Sequence, residues 1–231
     1  MHSAVVRLQR LRGVGFLKRY FPRCLTIFVC VVFGVLISSA LYALTGFSLF
    51  GGPRGNLFPV SDANDAELSS LAYSILDSIK ESDFAALSGA AHPERGILFS
   101  PQATVALSKN KCFSTEEIAA FGSDTSVYVW GVYSVSGEPI EMTPAEYFSR
   151  FVYFKDYTSA PIVGVNHVVR SGNALENFKD VFPDMQFIEF HVPGGEHDPT
   201  EDFNWSTLRL GFEQYNGDLW LTAIIHSEWS V

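Results

Sequence analysis

A glutamate and a histidine two residues apart on a strand share one face, and a carboxylate that orients an imidazole is an arrangement for general acid–base catalysis. Glu189 and His191 stand so within Met185 to Val192, whose β-branched and aromatic residues predict a strand. Met185 and Phe187 fall on their face, Ile188 and Phe190 on the other. His92, before Pro93 at the end of a short predicted helix, is a second candidate base at a pocket mouth. The competing role for it is closing the last carbonyls of that helix. Tyr128, Trp130 and Tyr153 offer aromatic surface with polar tips, the kind that lines an apolar pocket, although most such residues are core. Arg150 adds a cation for an anionic ligand, or a partner for Glu146 one helical turn earlier.

Other chemistries lack their residues. No Ser-His-Asp pattern, phosphate-binding loop or dinucleotide glycine fingerprint is present. Cys24, Cys30 and Cys112 have no zinc spacing, and the acidic run Gly194 to Asp202 lacks the alternating ligands and distal glutamate of a calcium loop. No metal and no cofactor are expected.

These candidates need elements to carry them. Leu68, Leu71, Ala72, Ile75, Leu76 and Ile79 recur at helical spacing and predict an amphipathic helix over 65–81. Asp83 opens a second, short helix to about Ala91. Ser114 to Glu117 and Thr143 to Glu146 are capping boxes, the latter opening a helix to about Tyr153. Strands are predicted over 126–133, 162–169 and 185–192. Trp205 to Tyr215 and Leu219 to Trp229 flank Asn216-Gly217, a two-residue hairpin turn. Symmetric pairing about that turn sets Leu208, Leu210 and Phe212 opposite Ile225, Ala223 and Leu221 as the core face. The opposite face carries Arg209, Trp220, Ile224 and His226 and is expected to be solvated or an interface, such as a homodimer's. Helices first and an antiparallel sheet last make the class α+β.

Charge divides the chain. Six basic residues and no acidic one occupy 1–23, a basic tail. All 25 Asp and Glu begin at Asp62, and the chain after residue 50 carries a net charge of −15. Such a surface repels phosphate, so nucleic acid is not an expected partner. Between them no charge interrupts Cys24 to Pro53. The apolar part, 24–50, exceeds the roughly 20 helical residues that cross a bilayer. With arginines only in front, the positive-inside rule predicts a single-pass inner-membrane protein with a cytoplasmic N-terminus and an extracytoplasmic domain over 65–231. Residues 51–64, rich in Gly, Pro, Ser and Asn, read as a linker. The rival is signal cleavage after Ser38-Ser39-Ala40, which leaves a secreted domain.

The first helix followed by KESDFAALSGAAHPERGILFSP, and the closing hairpin LRLGFEQYNGDLWLTAIIHSEW, resemble the nuclear transport factor 2-like superfamily over about 65–230. That resemblance implies helices packed into a curved antiparallel sheet, a cone with a central pocket. It leaves function open between catalysis and binding, since fold does not fix function. Leu98 to Phe113 and Val192 to Phe203 are longer than that pattern needs. The expected function is membrane-anchored binding of a small apolar or amphipathic ligand, or of a protein partner, without turnover. The alternative is an isomerase, dehydratase or hydrolase using Glu189 with His191, or His92.

Overall fold

The computed structural model describes residues 63–195 and 203–229. The apolar segment 24–50 lies outside them, as does most of the acidic run after Gly195. No helix among the described residues is long and apolar enough to cross a membrane.

Local signals build the helices. Helix α1 (Ala63–Lys80) turns Leu68, Ala72, Ile75, Leu76 and Ile79 inward, all buried. Asp83 accepts from the Ala86 amide and starts α2 (Phe84–Ala90). Both capping boxes are closed. Ser114 opens α3 (Thr115–Ala120), and Thr143 opens α4 (Pro144–Tyr147). The expected helix to Tyr153 changes pitch instead, running on as a π-helical turn over Phe148–Val152. Such turns rotate the side chains beyond them out of α-helical phase.

The main sheet has six strands in the order β2-β1-β8-β7-β6-β5. They are β1 (Ile97–Ser100), β2 (Lys111–Phe113), β5 (Ile162–Val165), β6 (Gln186–Val192), β7 (Ser206–Tyr215) and β8 (Asp218–Glu228). A separate hairpin joins β3 (Tyr128–Val132) to β4 (Pro139–Met142). The sheet is mixed rather than purely antiparallel, because β1 runs parallel to β8, with Phe99 beside Ile224. The class is α+β.

Register departs from the symmetric pairing in the last hairpin. Phe212 faces Leu221 as expected, but Gly211 faces Ala223, so Thr222 is an extra residue in β8. Beyond this bulge every β8 residue is displaced by one, and Leu208 faces His226 while Leu210 faces Ile224. Ile224 therefore joins the core under α1, whereas Ala223 and Ile225 turn to the opposite face.

That opposite face is covered too. Phe178 in α5 (Phe178–Val181), with Phe182, packs on Met185, Phe187, Ala223 and Ile225. Apolar residues on both faces explain why β1 is buried throughout its length.

Candidate functional site

The space between helices and sheet is packed solid with rings. Phe99 lies edge-on to Trp130 and Tyr147, and Phe113 edge-on to Phe121. Trp130 lies flat on Tyr147, centroids 3.8 Å apart, and its Nε1–H donates to the Met142 carbonyl at 2.9 Å. Tyr128 packs against Phe113, with its hydroxyl donating to Asp124. Trp130 and Tyr128 are thus packing residues and line neither cleft described below. The polar tip of each is bonded within the fold, as burial of such groups requires.

The candidate Glu189–His191 dyad of the alternative, catalytic reading is not assembled. The two share a face, yet no hydrogen bond joins them. Glu189 Oε1 accepts from the amides of Val169 and Arg170, at 2.9 and 3.3 Å, and Oε2 accepts from Arg209 Nε at 2.9 Å. Burial pushes this carboxyl up, against the lowering effect of Arg209 and the two amides. Arg209 also forks onto Glu176, with Nη1–Oε1 2.8 Å and Nη2–Oε2 2.7 Å, and its guanidinium lies over the Phe178 and Phe187 rings. Glu189, Arg209 and Glu176 are thus one strut fastening the stretch that leads into α5 onto the sheet. His191 packs instead against Trp205, its Nδ1 lacking a hydrogen bond. Burial, with Arg170 and Lys155 nearby, pushes its pKa down to about 4, so the imidazole is neutral at physiological pH.

His92 is a turn residue. Its Nδ1 accepts from the amides of Glu94 and Arg95, its own amide donates to the Leu221 carbonyl, and its ring packs on Tyr215. It neither closes α2 nor opens to solvent, being 2% exposed.

The expectation of a solvated or interface face on the hairpin is corrected for three of its four residues. Arg209 is covered by α5, and Ile224 and His226 turn inward beyond the bulge. Trp220 alone stays half-buried, opposite Glu213, its Nε1–H donating to the Tyr215 carbonyl at 3.2 Å.

Two surface clefts among the described residues take in the remaining candidates. One, of about 460 Å³, lies between the end of α1 and the π-helical turn and includes Lys80, Phe84, Phe148 and Tyr153. Two of its polar groups are engaged: the Tyr153 hydroxyl donates to Asp156, and Lys80 donates to Thr158. Hydrogen bonds from Thr158, Tyr153 and Ser159 hold the Asp156 carboxyl far below its ordinary range.

The second cleft, of about 310 Å³, is formed by the loop after β1, the β3–β4 turn, the π-helical turn and the end of β8. Ile140 and Phe151 supply apolar lining, Val135 and Trp229 flank it, and Arg150 and Glu228 bring charge. Gln102 binds one wall to another, donating to the Val132 carbonyl and accepting from the Ser134 hydroxyl. Arg150 does not pair with Glu146, whose carboxylate is used by the Thr143 capping box. It reaches Glu228 instead, with Nη2–Oε1 2.5 Å and Nη1–Oε2 3.3 Å, while resting over the Phe151 ring at 4.5 Å.

Behind Glu228 stands His226, wholly buried, its Nε2 3.3 Å from Glu228 Oε2 yet with neither ring nitrogen making a hydrogen bond. Phe151 and Phe154 meet its ring edge-on. Burial pushes the His226 pKa down, as do Arg150 and Lys155, against Glu228. Burial alone would raise the Glu228 carboxyl, but His226 and Arg150 together hold it down to about 2.

Of the residues singled out in the sequence, only Arg150 belongs to this second cleft and only Tyr153 to the first. Glu228 and Phe151 were missed. Glu228 lies 78 residues from Arg150, and no local spacing announces such a pair. No known protein family, curated protein or solved structure matches the chain.

Proposed function

We propose that this chain is a single-pass membrane protein, anchored through residues 24–50, whose extracytoplasmic domain binds a small amphipathic molecule without turnover. Binding takes place in the surface cleft at Arg150 and Phe151, not inside a hollow cone. The observation that carries the reading is the contrast between two spaces. The interior, where a cone-shaped relative of the nuclear transport factor 2-like superfamily would hold substrate, is filled by Trp130, Tyr147 and Phe99. The cleft of about 310 Å³ instead combines apolar walls with one ion pair, within the size and chemistry of small-ligand sites. The titratable groups a catalyst would use are withdrawn: Glu189 in the strut, His191 against Trp205, His92 in its turn. The charge-free segment behind an arginine-rich tail supports the anchor and its direction.

Two measurements test this. Protease added to spheroplasts should remove epitope tags placed after Val231 and spare tags before Met1; protection of the C-terminal tag overturns the topology. Calorimetric titration of the full chain in lipid nanodiscs with 2-naphthylacetamide should give heat that Ala174→Trp, which fills the cleft, abolishes. Equal binding by that variant places the ligand elsewhere and defeats the assignment.

A further inference from the structure

Among the described residues, Arg209 and Arg150 both fork onto carboxylates, the first buried and the second half-exposed, and they differ in how much of the guanidinium is engaged. Arg209 holds two carboxylates: Glu176 end-on through Nη1 and Nη2, and Glu189 side-on through Nε and Nη2. Arg150 holds one, Glu228, end-on through Nη1 and Nη2. Among the described residues no acceptor is bonded to its Nε, although a guanidinium has five donors arranged for two planar acceptors. Arg209 shows this fold using both edges of one guanidinium at once, with aromatic rings beneath it. Arg150 likewise lies over a ring, that of Phe151, but among the described residues it engages one carboxylate, and it does so on the wall of a cleft.

We propose that the second acceptor is a ligand carboxylate. The cleft takes a small amphipathic monocarboxylate, with its apolar body against Ile140, Phe151 and Val135 and its carboxylate on the Nε edge of Arg150. Glu228 has a defined part. By neutralising half of the guanidinium and fixing its plane against Phe151, it pre-orients the open edge while reducing its pull on anions. This inference rests on the cleft reading above and narrows it to one ligand class.

The probes share one apolar body and differ only in the head group: 2-naphthylacetate, 2-naphthylacetamide and 2-naphthylmethylamine. They are titrated against the full chain in nanodiscs, with empty discs as the baseline. The acid should bind about tenfold more tightly than the amide, since a charge-assisted fork is replaced by a neutral contact. In Arg150→Met the acid should lose its advantage over the amide, while the amide, which gives up only a neutral contact, falls far less than the acid and reports an intact cleft. In Glu228→Gln the acid should gain affinity, because Arg150 loses its competing carboxylate; this variant serves if Arg150→Met does not fold.

Equal affinity for acid and amide, or no gain for the acid in Glu228→Gln, overturns the carboxylate assignment and leaves the cleft reading standing. Tighter binding of the amine overturns it too and makes Glu228 the recognising group. No binding of any probe, or binding indifferent to Ala174→Trp, defeats the cleft reading itself.

Discussion

Arg209 and Glu189 face each other across β7 and β6, Nε to Oε2 at 2.9 Å, both almost entirely removed from water. Removing one partner of such a pair strands a buried charge, which costs far more than the net value of the intact pair. Arg209→Ala should destabilise the domain by about 3–5 kcal/mol, measured by urea unfolding. Arg209→Met combined with Glu189→Leu should recover part of that loss, because the most deeply buried charge leaves with its partner, while Glu176 still loses its guanidinium and the Val169 amide its acceptor.

Stability should fall with acid through His191. Its folded pKa, about 4, lies below the ordinary value of 6.5, so the unfolded chain binds the proton more readily. The stabilisation is fully present above about pH 6.5 and is lost progressively as pH falls toward 4. The loss amounts to a contribution on the order of 2–3 kcal/mol. His191→Phe should flatten that part of the pH profile in urea unfolding, and an unchanged slope would assign it elsewhere.

Gly96 sits at φ +66°, and a Cβ there would come within 1.9 Å of the Phe113 carbonyl oxygen. Both the backbone conformation and the close approach exclude a side chain. Gly96→Ala should destabilise by roughly 3 kcal/mol or more, whereas Gly89→Ala, with open space at its Cβ, should be neutral or stabilising. Thermal melts of the two variants separate these outcomes.

The capping box at Thr143 joins two parts of the site, because it occupies Glu146 and so leaves Arg150 for Glu228. Thr143→Ala should cost about 1 kcal/mol in helix capping. Its effect on the acid-over-amide preference of the cleft should be small, since Arg150 is held by Glu228 and Phe151 and not by the cap.

What the sequence discloses about this fold is what neighbouring residues decide among themselves. The Asp83 cap, the boxes at Ser114 and Thr143, and the Asn216-Gly217 turn each depend on a few adjacent residues, and each appears where those residues place it. Strands β1 and β2 escape such reading. Ile97 to Ser100 is buried on both faces and shows no alternation, and Lys111 to Phe113 is too short to show any. The bulge at Thr222 is equally silent, yet it sends Ile224 and His226 inward. Fold class, the inward stripe of α1 and the core side of β7 were therefore legible, while the register beyond Thr222 and the cover over the second face of the sheet were not. The site suffered most, because Arg150 and Glu228 meet only through tertiary structure.

Placing β1 parallel beside β8 pairs Leu98 with Ala223, so a strand near the start of the domain, bordered by β2 on one edge, finds the partner for its other edge only in the last strand. Contacts of such long sequence separation form late and slow folding. A ribosome delivers the chain N-terminus first, and until β8 emerges β1 has an unsatisfied edge and exposed apolar side chains. The last strand is thus a latch on β1, and truncation before Asp218 should leave a chain prone to self-association.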